Sequence, residues 1–228
     1  MHTVDSEEIR GRHACAVGVS VAAVARVRPE QLGNETPCAG WHLQDLLEHM
    51  IAQNHGFAAA ARGGDDPAIW TVRPSADPVA DFRASADDVL AAFAAEDVFQ
   101  RTLQLPEILP GYGFPTARAI GFHLVDSVVH AWDVARSIGD SITLDADLAE
   151  EALRVALAVP DGPERSASGA AFAPGLVVPE GTSVLDRTLL VLGRSPNWPD
   201  GAGLNRPKAG QVGARAVRPQ RPGLRSAG

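Results

Sequence analysis

The stretch HLVDSVVHAWDVA, residues 123–135, decides how this chain folds. Its Leu, Val, Ala and Trp spread around a helix, the pattern of a segment packed on several sides. Yet it also carries His123, Asp126, His130 and Asp133. Polar groups on such a helix cost free energy unless hydrogen bonds or an ion satisfy them. Asp126 and His130 are four residues apart, so they share one face about 6 Å apart along the axis and can converge on one ion. His123 lies seven residues before His130, about 10 Å along the axis. It is expected to point to the rim of the site or to a neighbouring helix, or to pair with Asp126.

Working outward, this helix spans about 116–138 and stops before Gly139, a residue suited to the turn that ends a helix. Helical spacing of apolar residues predicts four more long helices, at about 5–28, 43–62, 78–95 and from Asp145 or Asp147 to about 159. A short last helix covers about 183–193. Asp77 followed by Pro78 is a start signal, an N-cap with proline at the first helical position. Residues 97–115, DVFQRTLQLPEILPGYGFP, read as an irregular crossing with room for a short hairpin. The fold class is therefore all-α, a four-helix bundle with a short C-terminal extra helix. Residues 1–198 form one domain, and 199–228 form a Pro-, Gly- and Arg-rich tail expected to be disordered, for want of apolar residues to offset ordering entropy.

Charge excludes several functions. The net charge is −8, but residues 201–228 carry six basic groups and no acid, which leaves −14 on residues 1–200. So acidic a body argues against nucleic-acid binding. The longest apolar runs fall short of a membrane span. The start, MHTVDSEEIRGR, lacks a secretory signal, and Cys15 and Cys38 have no framework spacing, so a cytoplasmic protein with free thiols is expected. A homodimer is compatible with all of this.

The second helix contributes WHLQDLLEHM, residues 41–50. His49 sits in its apolar stripe, and Asp45, one turn earlier, can accept the ring N–H that a ligating imidazole leaves free. His49, Asp126 and His130 thus form a candidate metal site from two helices. Two imidazoles and a carboxylate suit Zn²⁺, and also Ni²⁺ or Fe²⁺, and three protein ligands leave coordination positions open. Asp133 either buttresses a ligand or bonds the backbone. By spacing alone, a hydrogen-bonded pair without metal is the commoner outcome of D-x-x-x-H. Cys38 has no histidine at a recognisable partner spacing and reads as an inert thiol. His2, His13 and His55 read as surface residues.

Three motifs in order carry a resemblance. TPCAGW with DLLEH (36–41 and 45–49), DSVVHAWD (126–133) and LGRSPNW (192–198) resemble the DinB-like, mycothiol-dependent maleylpyruvate isomerase-related superfamily, in particular an actinobacterial metal-binding subfamily. The resemblance covers roughly residues 10–198. It implies a DinB-like bundle holding one divalent ion through His49, Asp126 and His130; Zn or Ni follows from the donor types, and Asp45, His123 and Asp133 are candidates near the site by their own positions. It also implies mycothiol as a co-substrate for those members that are enzymes. His42 stands where that family places a Ser or Thr, and imidazole is a poorer helix cap. Two functions follow from different classes. One is a metal-dependent transferase or isomerase that uses a small thiol on an electrophile. The other is a metal-stabilised scaffold without turnover.

Overall fold

Helix α4, Thr116–Ser137, is the axis of the molecule. Of its 22 residues, 17 are buried, so nearly every polar side chain on it needs a partner inside the protein. The computed structural model describes residues 6–167 and 170–199; the tail expected to be disordered lies, from residue 200 on, outside them. Around α4 stand α1 (Ser6–Val24), α2 (Leu43–Ala61) and α3 (Pro78–Phe93). Helix α1 runs along α4 and α2 along α3, while α2 also touches α4. Helix α5, Ala146–Leu157, packs on α4, and α6, Val184–Val191, packs on α5. This is the expected all-α bundle with its C-terminal extra helix. No described helix is long and apolar enough to cross a membrane.

Local chemistry sets the helix limits. Asp77 accepts from Ala80 N–H at 3.1 Å, and Asp145, not Asp147, accepts from Leu148 N–H at 2.8 Å. Helix α1 stops at Val24, short of the expected 28: Arg26 and Val27 N–H turn back to Ala23 and Val24 C=O at 3.2 and 3.0 Å, a tighter turn than the α-helix, and the residue before proline is in any case pushed out of the helical region. Arg28, before Pro29, is extended at φ −102°, ψ 152°. The crossing at 97–115 does hold a hairpin: β1 (Thr102–Gln104) pairs antiparallel with β2 (Gly113–Pro115), Leu103 opposite Phe114. At the far end, Gly193 adopts φ 78° and lets Arg194 N–H reach back to Leu189 C=O at 2.9 Å. A Cβ there would lie 2.6 Å from Ala173 O, so both conformation and space require glycine.

The core has three parts. Phe57, Trp70, Phe93, Leu103, Ile120 and Leu124 fill one end of the bundle. Leu43, Leu46, Leu47, Met50, Phe82 and Val134 fill the other. Val125, Val129, Trp132, Leu189 and Leu192 join α4 to α5 and α6.

One polar thread crosses the first of these. His13, expected at the surface, is buried, because its helix lies against α4. Its Nε2 is 2.7 Å from His123 Nδ1, His123 Nε2 is 3.0 Å from Asn54 Oδ1, and Asn54 Nδ2 donates to Ser85 Oγ at 2.9 Å. Ser85 donates in turn to Phe82 C=O at 2.9 Å. Because Asn54 presents its oxygen to His123, His123 donates from Nε2 and accepts at Nδ1, and His13 donates to it. Both rings are therefore neutral. Burial lowers the pKa of each, that of His123 to about 4, and His123 lowers His13 further.

The unfolded chain takes up protons below pH 6.5 that this native pair refuses, so stability falls as pH drops from 6.5 toward 4. For His123 alone the loss approaches roughly 3 kcal/mol. Urea titrations across that window are expected to show the slope, and His13→Leu/His123→Leu to flatten it. An unchanged slope in the double variant would place its origin elsewhere.

Candidate metal centre

His49 reaches the site because α2 begins where it does. His42 is the N-cap, and its backbone N–H donates to Asp45 Oδ2 at 2.9 Å. Asp45 therefore closes the helix start, with its carboxylate also 3.6 Å from the His42 ring, rather than supporting His49. That interaction supplies the capping that an imidazole gives poorly. Just upstream, a tight loop is knotted by Thr36: Cys38 N–H donates to its Oγ1 at 3.1 Å, and that hydroxyl lies 3.0 Å from Trp41 C=O. The loop sets Trp41 beside His49, ring centroids 4.9 Å apart, and points Cys38 at α4.

Helix α4 brings the other candidates. Asp126 Oδ1 lies 3.3 Å from His130 Nε2. The His49 and His130 rings meet edge to face, centroids 5.3 Å apart. One donor atom from each of His49, Asp126 and His130 lies within 4.8 Å of the others. Donors bound at about 2.0–2.1 Å to a tetrahedral ion sit roughly 3.3–3.5 Å apart, so the three need only small side-chain adjustments to share one. The donor chemistry fits as well. Burial, then the charge on His130, lower the His49 pKa to about 4, leaving a neutral imidazole near pH 7. Burial favours a neutral Asp126, but the His130 charge and hydrogen bond, with smaller contributions from His49 and His123, hold its carboxyl below the usual range.

His130 is the hinge of the arrangement. Its Nδ1 is 2.9 Å from Asp133 Oδ2, and Asp133 is wholly inaccessible to water. Burial opposes a charge on this ring. Asp126, followed by hydrogen bonds to Asp126, Asp133 and Cys38, outweighs burial, and the pKa is raised well above 6.5. With Nδ1–H on Asp133, Nε2 is the atom that faces Asp126 and His49. Asp133 thus bonds the His130 ring. His123 stands apart: it bonds to α1 and α2 through His13 and Asn54.

Two residues on Asp133 have no counterpart in the sequence reading of the site. Cys38 Sγ–H donates to Asp133 Oδ2 at 3.2 Å, and Arg194 Nε lies 3.2 and 3.3 Å from the two carboxylate oxygens. The motif LGRSPNW contains Arg194, but no spacing rule connects it to a residue 61 positions earlier. Two clefts of about 460 Å³ lie elsewhere, one along Leu157, Val178 and Arg187, the other along Glu7, Arg10, His13 and Phe93. The side chain of Asp126 is 23% exposed against 6% for His130, so Asp126 marks the open side of the cluster.

Residues 14–135 match the family model of the mycothiol maleylpyruvate isomerase N-terminal domain. Uncharacterized proteins from two strains of Mycobacterium tuberculosis are each 34% identical over 184 residues, covering 80% of this chain and 96% of theirs. The crystal structure of a mycothiol-dependent maleylpyruvate isomerase is similar in fold, with a TM-score of 0.56 at 16% identity over 86% of this chain and 92% of that one. A histidine-to-alanine mutant of such an isomerase aligns with a TM-score of 0.52 at 17% identity, over 72% and 73% of the two chains. The helical fold and the sequence match agree, and this chain belongs to the mycothiol maleylpyruvate isomerase N-terminal domain family.

Proposed function

We propose that this protein is a divalent-metal enzyme that uses a low-molecular-weight thiol, mycothiol, to transfer to or isomerise a small electrophile. The observation that carries the reading is the convergence of His49, Asp126 and His130, from two helices, with their donor atoms within 4.8 Å. Family membership supports the thiol, because the related solved enzymes are named for their dependence on mycothiol.

His49, Asp126 and His130 would hold the ion, Zn²⁺ or Ni²⁺ by donor type. An ion bound there supplies the charge that favours a thiol in its deprotonated form near neutral pH. The chain supplies the rest. His49 is neutral and needs no proton removed. Asp126 is ionised and carries the only negative charge among the three donors. His130 is aimed by Asp133, which accepts from Nδ1 and leaves Nε2 as the donor atom. Trp41, 37% exposed with its ring 4.9 Å from that of His49, would give one side of the cluster an apolar wall.

Metal titrations test the ligand set. His49→Ala, His130→Ala and Asp126→Ala are each expected to weaken binding by more than about 100-fold, beyond what losing an outer partner of a ligand costs. Asp126→Asn is expected to be milder, since a carbonyl oxygen remains, and His123→Ala to leave metal content intact. Equal losses for His123→Ala and Asp126→Ala would mean another ligand set. Incubating the loaded protein with mycothiol and a panel of electrophiles then separates an enzyme from a scaffold: full metal loading with neither thiol consumption nor thiol-dependent conversion of any electrophile favours the scaffold.

Metal uptake carries a pH signature. His130 faces Asp126 and Asp133 on its own helix, His49 on α2 and Cys38 on the preceding loop, with Arg194 behind Asp133. Its raised pKa means that it holds a proton near neutrality which a metal must displace. Affinity is therefore expected to rise with pH through the neutral range. Calorimetry in buffers of different ionisation enthalpy should register release of about one proton per ion. Uptake without proton release at pH 7 would contradict the charged state assigned to His130.

A further inference from the structure

His130 belongs to two donor clusters. Through Nε2 it faces Asp126 and His49; through Nδ1 it faces Asp133 and Cys38, and Cys38, His130 and Asp133 also have donor atoms within 4.8 Å of one another. A thiol, an imidazole and a carboxylate are a competent set for a soft divalent ion. The second cluster is nevertheless already served by a cation. Arg194 Nε contacts both oxygens of Asp133, and Arg194 Nη2 lies 3.5 Å from Cys38 Sγ. The guanidinium is buried, with its Cζ 5.6 Å from the Phe172 ring centre and Nη1 within 3.4 Å of Leu192 C=O. The turn at Gly193 delivers it there.

We propose that Arg194 is the positioning residue of the metal centre: its guanidinium fills the Cys38–His130–Asp133 cluster in place of a metal, and so directs the ion to His49, Asp126 and His130. This rests on the proposed metal site. A planar, permanently charged fork can span a carboxylate and a thiol at once, which a point charge cannot. While Asp133 is paired with Arg194 and accepts from His130 Nδ1, neither Asp133 nor Nδ1 has a lone pair directed at a second ion. Removing the guanidinium leaves a buried carboxylate without its counter-charge, a costly state that a divalent cation would relieve. Cys38 would then bind as thiolate and His130 through a deprotonated Nδ1, both protons passing to solvent.

Cobalt titration with optical spectroscopy tests this, because cobalt bound to thiolate gives a sulfur-to-metal charge-transfer band that nitrogen and oxygen ligands do not. Wild-type protein is expected to take up cobalt without that band. Arg194→Ala is expected to show it, and Arg194→Ala/Cys38→Ser to lose it. Should Arg194→Ala fail to fold, Arg194→Lys keeps the buried charge but not the fork, and is expected to show the band more weakly. A sulfur band in wild-type protein, or none in folded Arg194 variants that bind cobalt, overturns the proposal. Failure of wild-type protein to bind any cobalt counts instead against the site of His49, Asp126 and His130, and a sulfur band confined to the Arg194 variants would still establish what Arg194 excludes.

Discussion

A carboxylate with no access to water has to be compensated where it stands, and Asp133 is such a group. Burial works against its charge, while Arg194, His130 and Cys38 hold it ionised. Those three come from the turn after α6, from α4 itself and from the loop before α2. The one carboxylate therefore ties the C-terminal helix, the central helix and the start of the second helix to a single point. An unpaired charge at this depth would cost several kcal/mol. The three segments cannot drift apart without exposing that cost, and His130 is aimed as a consequence.

Helix α4 solves its buried-polar problem twice, in opposite ways. Toward its N-terminal half, His123 joins a thread of neutral donors and acceptors that ends on a backbone carbonyl. Protonating His123 at Nδ1 would set it against the N–H of His13, and burial makes a charge on either ring costlier. Seven residues on, His130 lies between two carboxylates and takes a proton readily. The same residue type on the same helix is thus locked neutral at one place and charged at the other. What differs is the neighbour: an amide and a second imidazole for His123, two acids for His130. Only the second arrangement has a proton to exchange for a metal.

The contrast shows what could be read in the chain. Helical periodicity located all six α-helices of the described residues, and Asp77 with Pro78 marked one start, because these signals are local. Asp126 and His130 could be paired for the same reason, being one turn apart. His49 could be proposed from its place in the apolar stripe of its helix, and the family resemblance supported the choice, since nothing local says which face of α2 meets α4. The misplacement of His13 has a related cause: its neighbours in sequence do not disclose that α1 lies along α4. Asp45 could serve either His49 or the helix start, and the start prevailed because His42 caps poorly with its own side chain. Arg194 and Cys38 were illegible as site residues. Their meeting depends on a glycine turn and a Thr36-knotted loop, both set by tertiary packing.

The charges of the cluster bear on the proposed chemistry. Before metal uptake, the carboxylates of Asp126 and Asp133 are balanced by the Arg194 guanidinium and the His130 imidazolium, and the site is neutral overall. A divalent ion brings two positive charges and displaces one proton, so the occupied site is left one unit positive. In a largely buried setting that surplus is poorly screened. The species that restores neutrality is a single anion, and a thiol that gives up its proton becomes one. Were Arg194 absent, the same uptake would end neutral, with less to gain from an anionic partner. If the proposed centre forms, Arg194, which touches none of the three proposed ligands directly, would contribute to a preference for a thiolate over a neutral ligand at the open position.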